Sequence, residues 1–274
     1  MLQPGQTRQF RPADPAAAAF GARPLEPERS RTASLGIVLR DDDRASLTID
    51  AYRLKVKDVI VITETLQGPT VTAAFANAGL PGFTQASYYR NGWDSRTDGV
   101  DIIGRRQWRL AGGQLELSAA LSLLDTQVDD VRRTVNVGGA PILAIGNAKV
   151  RDAETGTPKN KVILGARWAG GPWTVTADAT RYGKYRYNVG DVANSVAPNG
   201  NTDQVFAPET YVDASVAYKW NDHWKVDLNI QNLFNRYPDK YILANRASGI
   251  NPYSFIAPNG ASGRFVQAGL SYKF

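Results

Sequence analysis

Apolar and polar residues alternate along most of this chain, from about residue 32 to the C-terminus. Successive side chains of a β-strand point to opposite faces, so each alternating segment predicts a strand with one apolar and one polar face. The final segment is the clearest, with its odd and even positions separating into two sets. The apolar set is Val266, Ala268, Leu270, Tyr272 and Phe274, and the polar set is Gln267, Gly269, Ser271 and Lys273.

The same alternation recurs in eight earlier segments, and none of comparable strength has the 3.6-residue period of a helix. These segments begin near residues 35, 47, 100, 115, 161, 173, 211 and 223. The chain therefore predicts an all-β protein of about nine strands.

The connections between these strands alternate in length. Tight turns are predicted at 41–44, 111–114, 169–172 and 221–223, and long polar stretches at 64–99, 126–160, 185–208 and 235–262. Outer-membrane barrels have short periplasmic turns and long extracellular loops, whereas soluble domains rarely carry several long structureless loops. We therefore predict that residues 33–274 form part of an antiparallel up-and-down transmembrane β-barrel. Residues 1–32 are expected to form an extracellular, loop-like or irregular segment.

Large aromatic residues lie near the tight turns on the apolar faces, as expected of an interfacial girdle. They are Trp108, Trp168, Trp173, Tyr218, Trp220, Trp224 and Tyr272. Arg106 is the exception, because it falls on the apolar face with Ile102 and Trp108. Two explanations remain open: Arg106 lies near a headgroup layer, or a β-bulge shifts the register.

The composition argues against several functional classes. The chain has 274 residues, no cysteine and a single histidine, His223, so we expect no disulfide, no cofactor and no metal site. Asp125, Asp129 and Asp130 lack the spacing of a calcium loop. The net charge of +6 is spread among acidic residues and does not predict nucleic-acid binding. With no Ser/His or Asp/His constellation, we expect no catalytic residues and no enzyme.

Several short segments resemble those of TonB-dependent outer-membrane receptors. They are PLEPE (24–28) before Leu35, DAY (50–52) with KDVIV (57–61), TDGVDI (97–102), NLFNRYPDK (232–240) and GRFVQAGLSYKF (263–274). The resemblance covers about residues 20–274. It implies a 22-stranded barrel in the cell outer membrane, filled by an N-terminal plug and energised by the TonB complex. It also implies uptake of a scarce nutrient such as a siderophore–iron complex.

The chain departs from that plan, since about nine strands are predicted and neither a plug nor a TonB-binding segment is found. It is therefore expected to be a C-terminal barrel region that reaches TonB only through the missing plug. No signal peptide is evident in the first thirty residues, so a longer precursor or a fragment is expected. Two unpaired sheet edges are not tolerated in hydrocarbon, so the chain alone is not expected to work as a transporter.

Two aromatic and basic clusters are candidate ligand contacts, because they suit anionic siderophores through cation–π and charge interactions. The alternative is that they are ordinary rim residues. The first cluster is Tyr88, Tyr89, Arg90 and Trp93; the second is Arg181, Tyr182, Lys184, Tyr185, Arg186 and Tyr187.

The C-terminal aromatic residues Tyr272 and Phe274 are predicted to be the signal read by the barrel-assembly machinery. A simple lipid-facing role is the alternative for both. The other expected partner of the chain is outer-membrane lipid.

Two other classes of protein remain open at this stage. One is a self-contained small outer-membrane barrel, either a passive pore or a barrel enzyme. The other is a secreted β-sandwich binding module, in which the apolar faces would pack against each other.

Overall fold

The structure is a computed structural model, and it describes residues 6–42, 44–188, 203–241 and 252–274. Nine strands form one antiparallel sheet in which each strand pairs with the next one along the chain. They are β2 (Arg29–Asp41), β3 (Ala45–Ile62), β5 (Phe83–Leu110), β6 (Gly113–Asp129), β9 (Asn160–Gly170), β10 (Trp173–Tyr182), β13 (Glu209–Lys219), β14 (Trp224–Gln231) and β15 (Phe265–Tyr272).

Shorter elements occupy the connections. Strands β1 (Gln6–Phe10) and β4 (Leu66–Gln67) add to the outer part of β5, and two hairpins stand apart from the sheet. The hairpins are β7 (Thr134–Val137) with β8 (Ala140–Leu143), and β11 (Tyr185–Asn188) with β12 (Asp203–Phe206). The helices are a 3-10 helix (Pro15–Phe20), α1 (Pro69–Asn77) and α2 (Asn147–Thr155). Among the described residues no helix is both long and apolar enough to cross a bilayer.

The nine predicted strands and the antiparallel order are confirmed. Strands β2 and β15 are the two ends of the sheet and do not pair with each other, so the sheet is not closed. A single sheet whose neighbours follow chain order also excludes the β-sandwich, which requires two packed sheets.

The predicted long loops are wrong in part. Residues 83–99, assigned to the first loop, belong to β5, which pairs with β3 as far as Ile62. The reason is packing: Ala86, Ser87 and Tyr88 are buried in succession, so both faces of the strand are covered and the alternation disappears. The second loop likewise contains the end of β6, the β7–β8 hairpin and α2.

The third and fourth predicted loops lie partly outside the described residues, at 189–202 and 242–251. The N-terminal segment, described from residue 6, contains β1 and the 3-10 helix, so it is not irregular throughout. The boundary at residue 33 falls inside β2, which begins at Arg29. That this segment is extracellular stays a prediction.

One face of the sheet is apolar from edge to edge. Cross-strand partners share a face, and the pairings join one row of small and aliphatic residues across seven strands. This row is Leu39, Leu47, Gly104, Ala119, Leu164, Ala179 and Val212. The opposite face carries Ser, Thr, Asp and Arg at the intervening positions, as the lumen wall of a barrel requires.

Arg106 lies on the apolar face without any local bulge. The β5–β6 pairing is unbroken there and the β3–β5 irregularities lie near Val59, so the bulge explanation is wrong. Arg106 sits close to the turn at Ala111 and Gly112, with its guanidinium 5.4 Å from the ring centroid of Trp108. This position agrees with the headgroup-layer explanation, because an interfacial Arg costs far less than one at the midplane.

The β5–β6 turn shows how the register is set. Ala111 (φ 49°) and Gly112 (φ 70°) both adopt the left-handed conformation, as a two-residue type I′ turn requires. Such a turn leaves no freedom in the pairing of its two strands. The rows on both faces therefore follow from it.

Two of the short motifs are complementary partners on the polar face. Tyr52 lies opposite Gly99 on β5, and a side chain at Gly99 would overlap the Tyr52 ring. Asp50 lies opposite Gly36 on β2 in the same way, since a Cβ at Gly36 would collide with the carboxylate. Each glycine makes room for the large or charged side chain of the neighbouring strand.

The segment 232–240 anchors the start of the last connection. Asn232 is buried with a left-handed backbone (φ 51°). Its side-chain amide donates to the carbonyl oxygens of Arg236 (2.7 Å) and Ser262 (3.3 Å), and its Oδ1 accepts from the Arg236 N–H (2.8 Å). Asn235 Oδ1 accepts from the Arg264 N–H at 2.8 Å. These bonds tie the end of β14 to the residues that lead into β15.

A hydrophobic core lies beside the sheet, at the end with the long connections. Phe75 of α1 is fully buried, with its ring centroid 4.4 Å from Phe20, 6.0 Å from Phe10 and 5.7 Å from Phe83. Further residues of α1, together with residues of the 3-10 helix, β4, β5 and β7 and the residue after β8, complete this core: Ala17, Leu66, Val71, Ala74, Ala86, Tyr88, Val135, Val137 and Ala144. We refer to these residues as the loop core.

Truncating the centre of the loop core tests whether it is a packed unit. We expect Phe75→Ala to destabilise the loop core by about 3–5 kcal/mol, because removal of a buried aromatic ring leaves a cavity. Amide hydrogen exchange is expected to accelerate in residues 66–88 while β9, β10 and β13 stay protected. Phe255→Ala is the control, since Phe255 is 74% exposed. Equal exchange in both variants would contradict the packed core.

Replacing the amide of Asn232 tests the anchoring role of the motif. Asn232→Asp removes two donated hydrogen bonds and places a carboxylate against two carbonyl oxygens. We therefore expect the free energy of unfolding to fall by about 2–5 kcal/mol. The measurement is the urea midpoint of tryptophan fluorescence for the chain in detergent. Asn77→Asp, at an exposed position, should change the free energy of unfolding by only a few tenths of a kcal/mol and so leave the midpoint nearly unchanged. Similar midpoints for the two variants would show that these bonds do not anchor the segment.

Candidate functional site

The N-terminus of helix α2 is fixed to the end of β3, at the end of the sheet with the long connections. Oε1 of the buried Glu64 accepts a hydrogen bond from the Gly146 N–H at 3.1 Å, which places a carboxylate at the positive end of the helix. Lys149 Nζ donates to the Ile62 carbonyl oxygen (2.7 Å) and lies 3.9 Å from Glu64 Oε2. Burial lowers the pKa of Lys149, partly opposed by the nearby Glu64 carboxylate.

The C-terminal half of α2 holds the β11–β12 hairpin. Arg151 forms a two-pronged ion pair with Asp203, Nε–Oδ2 at 2.7 Å and Nη2–Oδ1 at 3.0 Å. This hydrogen bonding raises the pKa of Arg151. The Thr155 hydroxyl donates to the carbonyl oxygen of Arg151 (2.8 Å) and lies 3.3 Å from that of Arg186. The backbone of Arg186 is thereby held against the helix.

Three cationic residues meet in a cavity between the end of α2 and this hairpin. The cavity measures about 270 Å³, and we refer to it as the cationic cavity. It is lined by Thr155, Thr157, Lys159, Lys184, Tyr185, Arg186 and Val205, with no carboxylate among these residues. Lys159 also pairs with Asp125 outside the cavity. Lys, Arg and hydroxyl groups around one space suit an anionic ligand through charge-assisted hydrogen bonds.

An aromatic stack supports one wall of the cationic cavity. Tyr185 is 3% exposed and its ring lies parallel to Phe206, with centroids 4.6 Å apart and an interplanar angle of 6°. Burial raises the pKa of Tyr185 to about 12, so its phenol stays protonated at physiological pH. Tyr187 makes an edge contact with Phe255 at 5.6 Å. Tyr185 is therefore a buried packing residue of the cavity wall, beside the cationic residues Lys184 and Arg186.

The first predicted cluster is not brought together as one exposed group. Tyr88 is fully buried in the loop core and its hydroxyl donates to the Phe20 carbonyl oxygen at 2.8 Å. Trp93, 7% exposed, packs with Ile145 and Val150. Arg90 donates to the Thr134 carbonyl oxygen at 3.1 Å. Only Tyr89 of this set is well exposed, at 44%.

The second predicted cluster is divided between faces. Arg181 pairs with Val162 and Thr210, so it lies on the same face of the sheet as the apolar residues, at the end of β10 with the long connections. Tyr182 lies on the polar face, with Lys161 Nζ 5.2 Å from its ring centroid. Of the residues predicted from sequence, Lys184, Tyr185 and Arg186 reach the cationic cavity.

The C-terminal aromatic residues lie at the edge of the sheet. Tyr272 packs on Trp224, with ring centroids 4.7 Å apart, and Phe274 contacts Tyr272 at 5.1 Å. Phe274 is fully exposed. His223, in the adjacent turn, lies with Nδ1 2.9 Å from the Lys273 carbonyl oxygen.

Sequence reasoning missed Lys159, Thr155 and Thr157. The β9–β10 hairpin held a signal for Lys159. Its register pairs Lys161 with Tyr182, and the same register continued past the ends of the strands brings Lys159 level with Lys184. The Gly183 N–H to Asn160 carbonyl bond, at 2.8 Å, continues that register beyond the strands. The contribution of α2 had no such signal.

Solved structures of outer-membrane transporters share this fold. The chain superimposes on YddB from Escherichia coli with a TM-score of 0.59 and 12% identity, covering 91% of this chain and 33% of that one. The ferric enterobactin receptor PfeA (G324V mutant) from Pseudomonas aeruginosa gives 0.57 and 17%, with 91% and 32% covered. FpvA from Pseudomonas aeruginosa, bound to pyoverdine, gives 0.57 and 15%, with 93% and 31% covered.

The chain thus spans about a third of the length of these structures. No curated protein matches its sequence. A family model described as "TonB dependent receptor-like, beta-barrel" matches residues 3–233. Together with the nine-strand sheet and its apolar outer face, this match identifies the chain as part of a TonB-dependent receptor-like β-barrel of the bacterial outer membrane.

Proposed function

We propose that this chain is the barrel part of a receptor that takes up a negatively charged metal chelate of the siderophore–iron class. The cationic cavity is the observation that carries the proposal, since it gathers Lys159, Lys184 and Arg186 without a carboxylate in its lining. Ferric complexes of catecholate chelators are anionic and rich in oxygen acceptors. They therefore match a site of cations and hydroxyl groups.

The similar structures support this class of ligand. They include a ferric enterobactin receptor and a receptor bound to pyoverdine, and also the copper transporter OprC. A site built from cations favours an anionic chelate over a free copper ion, because Lys and Arg side chains repel bare Cu²⁺, which prefers imidazole and other nitrogen or oxygen ligands. Within the part of the chain that the structure describes, no group of acidic and histidine side chains is placed to hold a metal ion.

The rest of the transport cycle involves partners outside this chain. We propose that the TonB complex acts through a plug region that this sequence does not contain. We also propose that Tyr272 and Phe274 present the edge strand β15 to the barrel-assembly machinery. Their support is the exposed, unpaired edge of β15, which suits recognition by strand addition.

A double substitution in the cationic cavity tests the ligand class. We expect Lys184→Gln with Arg186→Gln to weaken binding of ferric enterobactin or ferric pyoverdine at least about tenfold, because two charge-assisted hydrogen bonds are lost. Fluorescence quenching of the detergent-solubilised chain measures the affinity. Cu²⁺ serves as the cationic comparator.

The matched control is Lys219→Gln with Lys225→Gln, a cross-strand pair of lysines near a tight turn. It should leave the affinity unchanged. An equal loss in the control pair, or tighter binding of Cu²⁺ after the cavity substitution with no effect on the chelates, would contradict the proposal.

The pore alternative has a separate test. Because β2 and β15 are unpaired, a bilayer would expose the backbone N–H and C=O groups of both edges, which is costly in hydrocarbon. We expect liposomes containing only this 274-residue chain to show no ion conductance above protein-free liposomes. Discrete, reproducible conductance steps would instead indicate a self-contained barrel.

A further inference from the structure

The cationic cavity is bounded on one side by a hairpin that stands apart from the barrel sheet. Strands β11 and β12 form a separate two-stranded sheet with four residues in each strand. A two-stranded hairpin of this size is marginally stable by itself. The positions of Lys184 and Arg186 in the cavity therefore depend on the contacts that hold the hairpin to its surroundings.

Charge repulsion acts against this arrangement of the cavity. Lys184 directly precedes β11 and Arg186 lies within it, whereas Lys159 directly precedes β9 of the barrel sheet. Like charges around a cavity of about 270 Å³ repel each other. Without an anionic ligand, the repulsion favours movement of the hairpin away from Lys159. An attractive contact is needed to oppose it.

An ion pair between the hairpin and helix α2 is such a contact. Arg151 Nε lies 2.7 Å from Asp203 Oδ2, and Arg151 Nη2 lies 3.0 Å from Asp203 Oδ1. The side chain of Asp203 is only 10% exposed and that of Arg151 is 25% exposed. A two-pronged pair that is shielded from water is stronger than an exposed ion pair. We refer to Arg151 and Asp203 as the hairpin ion pair.

The hairpin ion pair lies directly beside the cationic cavity. On α2, Arg151 precedes Thr155 by four residues, so both lie on the same side of the helix. On β12, Asp203 and Val205 are two residues apart and share a face, and Val205 pairs with Arg186 of β11. Thr155, Val205 and Arg186 line the cavity. The hairpin ion pair therefore joins the two walls of the cavity just beyond its lining.

Helix α2 is itself fixed to the barrel sheet. Its N-terminal half is bonded to the end of β3. Near its C-terminus, Glu154 Oε1 accepts a hydrogen bond from the Val128 N–H of β6 at 2.9 Å. The buried face of the hairpin is held differently, since the Gln204 side-chain amide donates to the Lys240 carbonyl oxygen at 2.8 Å. The hairpin ion pair thus connects the hairpin to an anchored helix.

We propose that Arg151 and Asp203 are positioning residues of the cationic cavity. Their ion pair holds the hairpin so that Lys184 and Arg186 face Lys159 before the ligand arrives. The inference rests on the proposed function, and it requires neither residue of the pair to touch the ligand. Because the three cations are already gathered, the free energy of binding does not include the cost of ordering the hairpin.

The proposal predicts an effect opposite in sign to that of charge alone. Asp203 is a carboxylate beside a cationic site, so its removal makes the surroundings more positive. By charge alone, this change strengthens the binding of an anion. If Asp203 positions the hairpin, its removal instead lets the cations separate and weakens binding. The substitution Asp203→Asn distinguishes the two effects by the direction of the change.

Ferric enterobactin binding to the detergent-solubilised full chain measures this direction. We expect Asp203→Asn to weaken binding about tenfold, as when the competent arrangement falls to about a tenth of the population. Asp203→Glu keeps the carboxylate and should bind within about threefold of the unaltered chain. The matched control is Asp227→Asn, which removes the same charge beside Lys225 on β14 and should leave the affinity unchanged.

Amide hydrogen exchange gives a readout that needs no ligand. In Asp203→Asn we expect faster exchange at residues 185–188 and 203–206, while β9 and β10 stay protected. Saturating ferric enterobactin should restore slow exchange in the hairpin, because its anionic groups bridge the separated cations. Faster exchange in β9 and β10 as well would assign the effect to general unfolding and overturn the proposal.

The binding results can also overturn the proposal. Tighter or unchanged binding by Asp203→Asn would contradict it, as would an equal loss in Asp203→Glu or in the Asp227→Asn control. If Lys184→Gln with Arg186→Gln loses binding while Asp203→Asn does not, this inference fails and the proposed function stands. If the unaltered chain does not bind ferric enterobactin or ferric pyoverdine, both fail together.

Discussion

The backbone of a strand inside hydrocarbon has no water to bond, so each of its N–H and C=O groups must pair with a neighbouring strand. In this protein that requirement takes the form of an antiparallel register that runs unbroken from β5 through β6, β9 and β10 to β13. The register sends alternate side chains to lipid and to the lumen. The aromatic girdle and the cationic cavity both take their positions from it.

The pattern of the sequence was sufficient to predict the nine long strands, because one of their faces meets lipid and the other meets water. Where the strands leave the membrane, both faces are covered and the pattern fails. Ala86, Ser87 and Tyr88 are consecutive and buried, so the outer part of β5 resembled a loop. Composition alone carries no information on such packing.

The candidate site was predictable to the same extent. Lys184 and Arg186 stood out as basic residues beside aromatic ones, and the β9–β10 register brings Lys159 to them. Tyr88 and Trp93 looked similar in sequence but serve as core side chains. The difference arises from contacts with the 3-10 helix and with α2, which are distant along the chain and leave no periodic signal.

The short motifs gain a physical meaning from the sheet. Gly36 and Gly99 accommodate the side chains of Asp50 and Tyr52, so residues far apart in sequence form complementary pairs. Asn232 acts differently, since its amide closes a connection instead of fitting a neighbour. Motifs of this kind report local geometry, and they describe the barrel wall more than the ligand that passes through it.

The loop core has a consequence for how the outer end of the barrel can rearrange. It joins the N-terminal segment, the β3–β5 connection and the β6–β9 connection through shared aromatic and aliphatic packing. Because such packing is close to crystalline density, one connection cannot shift without opening a void beneath the others. These three connections therefore behave as a single cap, and an opening movement there must be concerted.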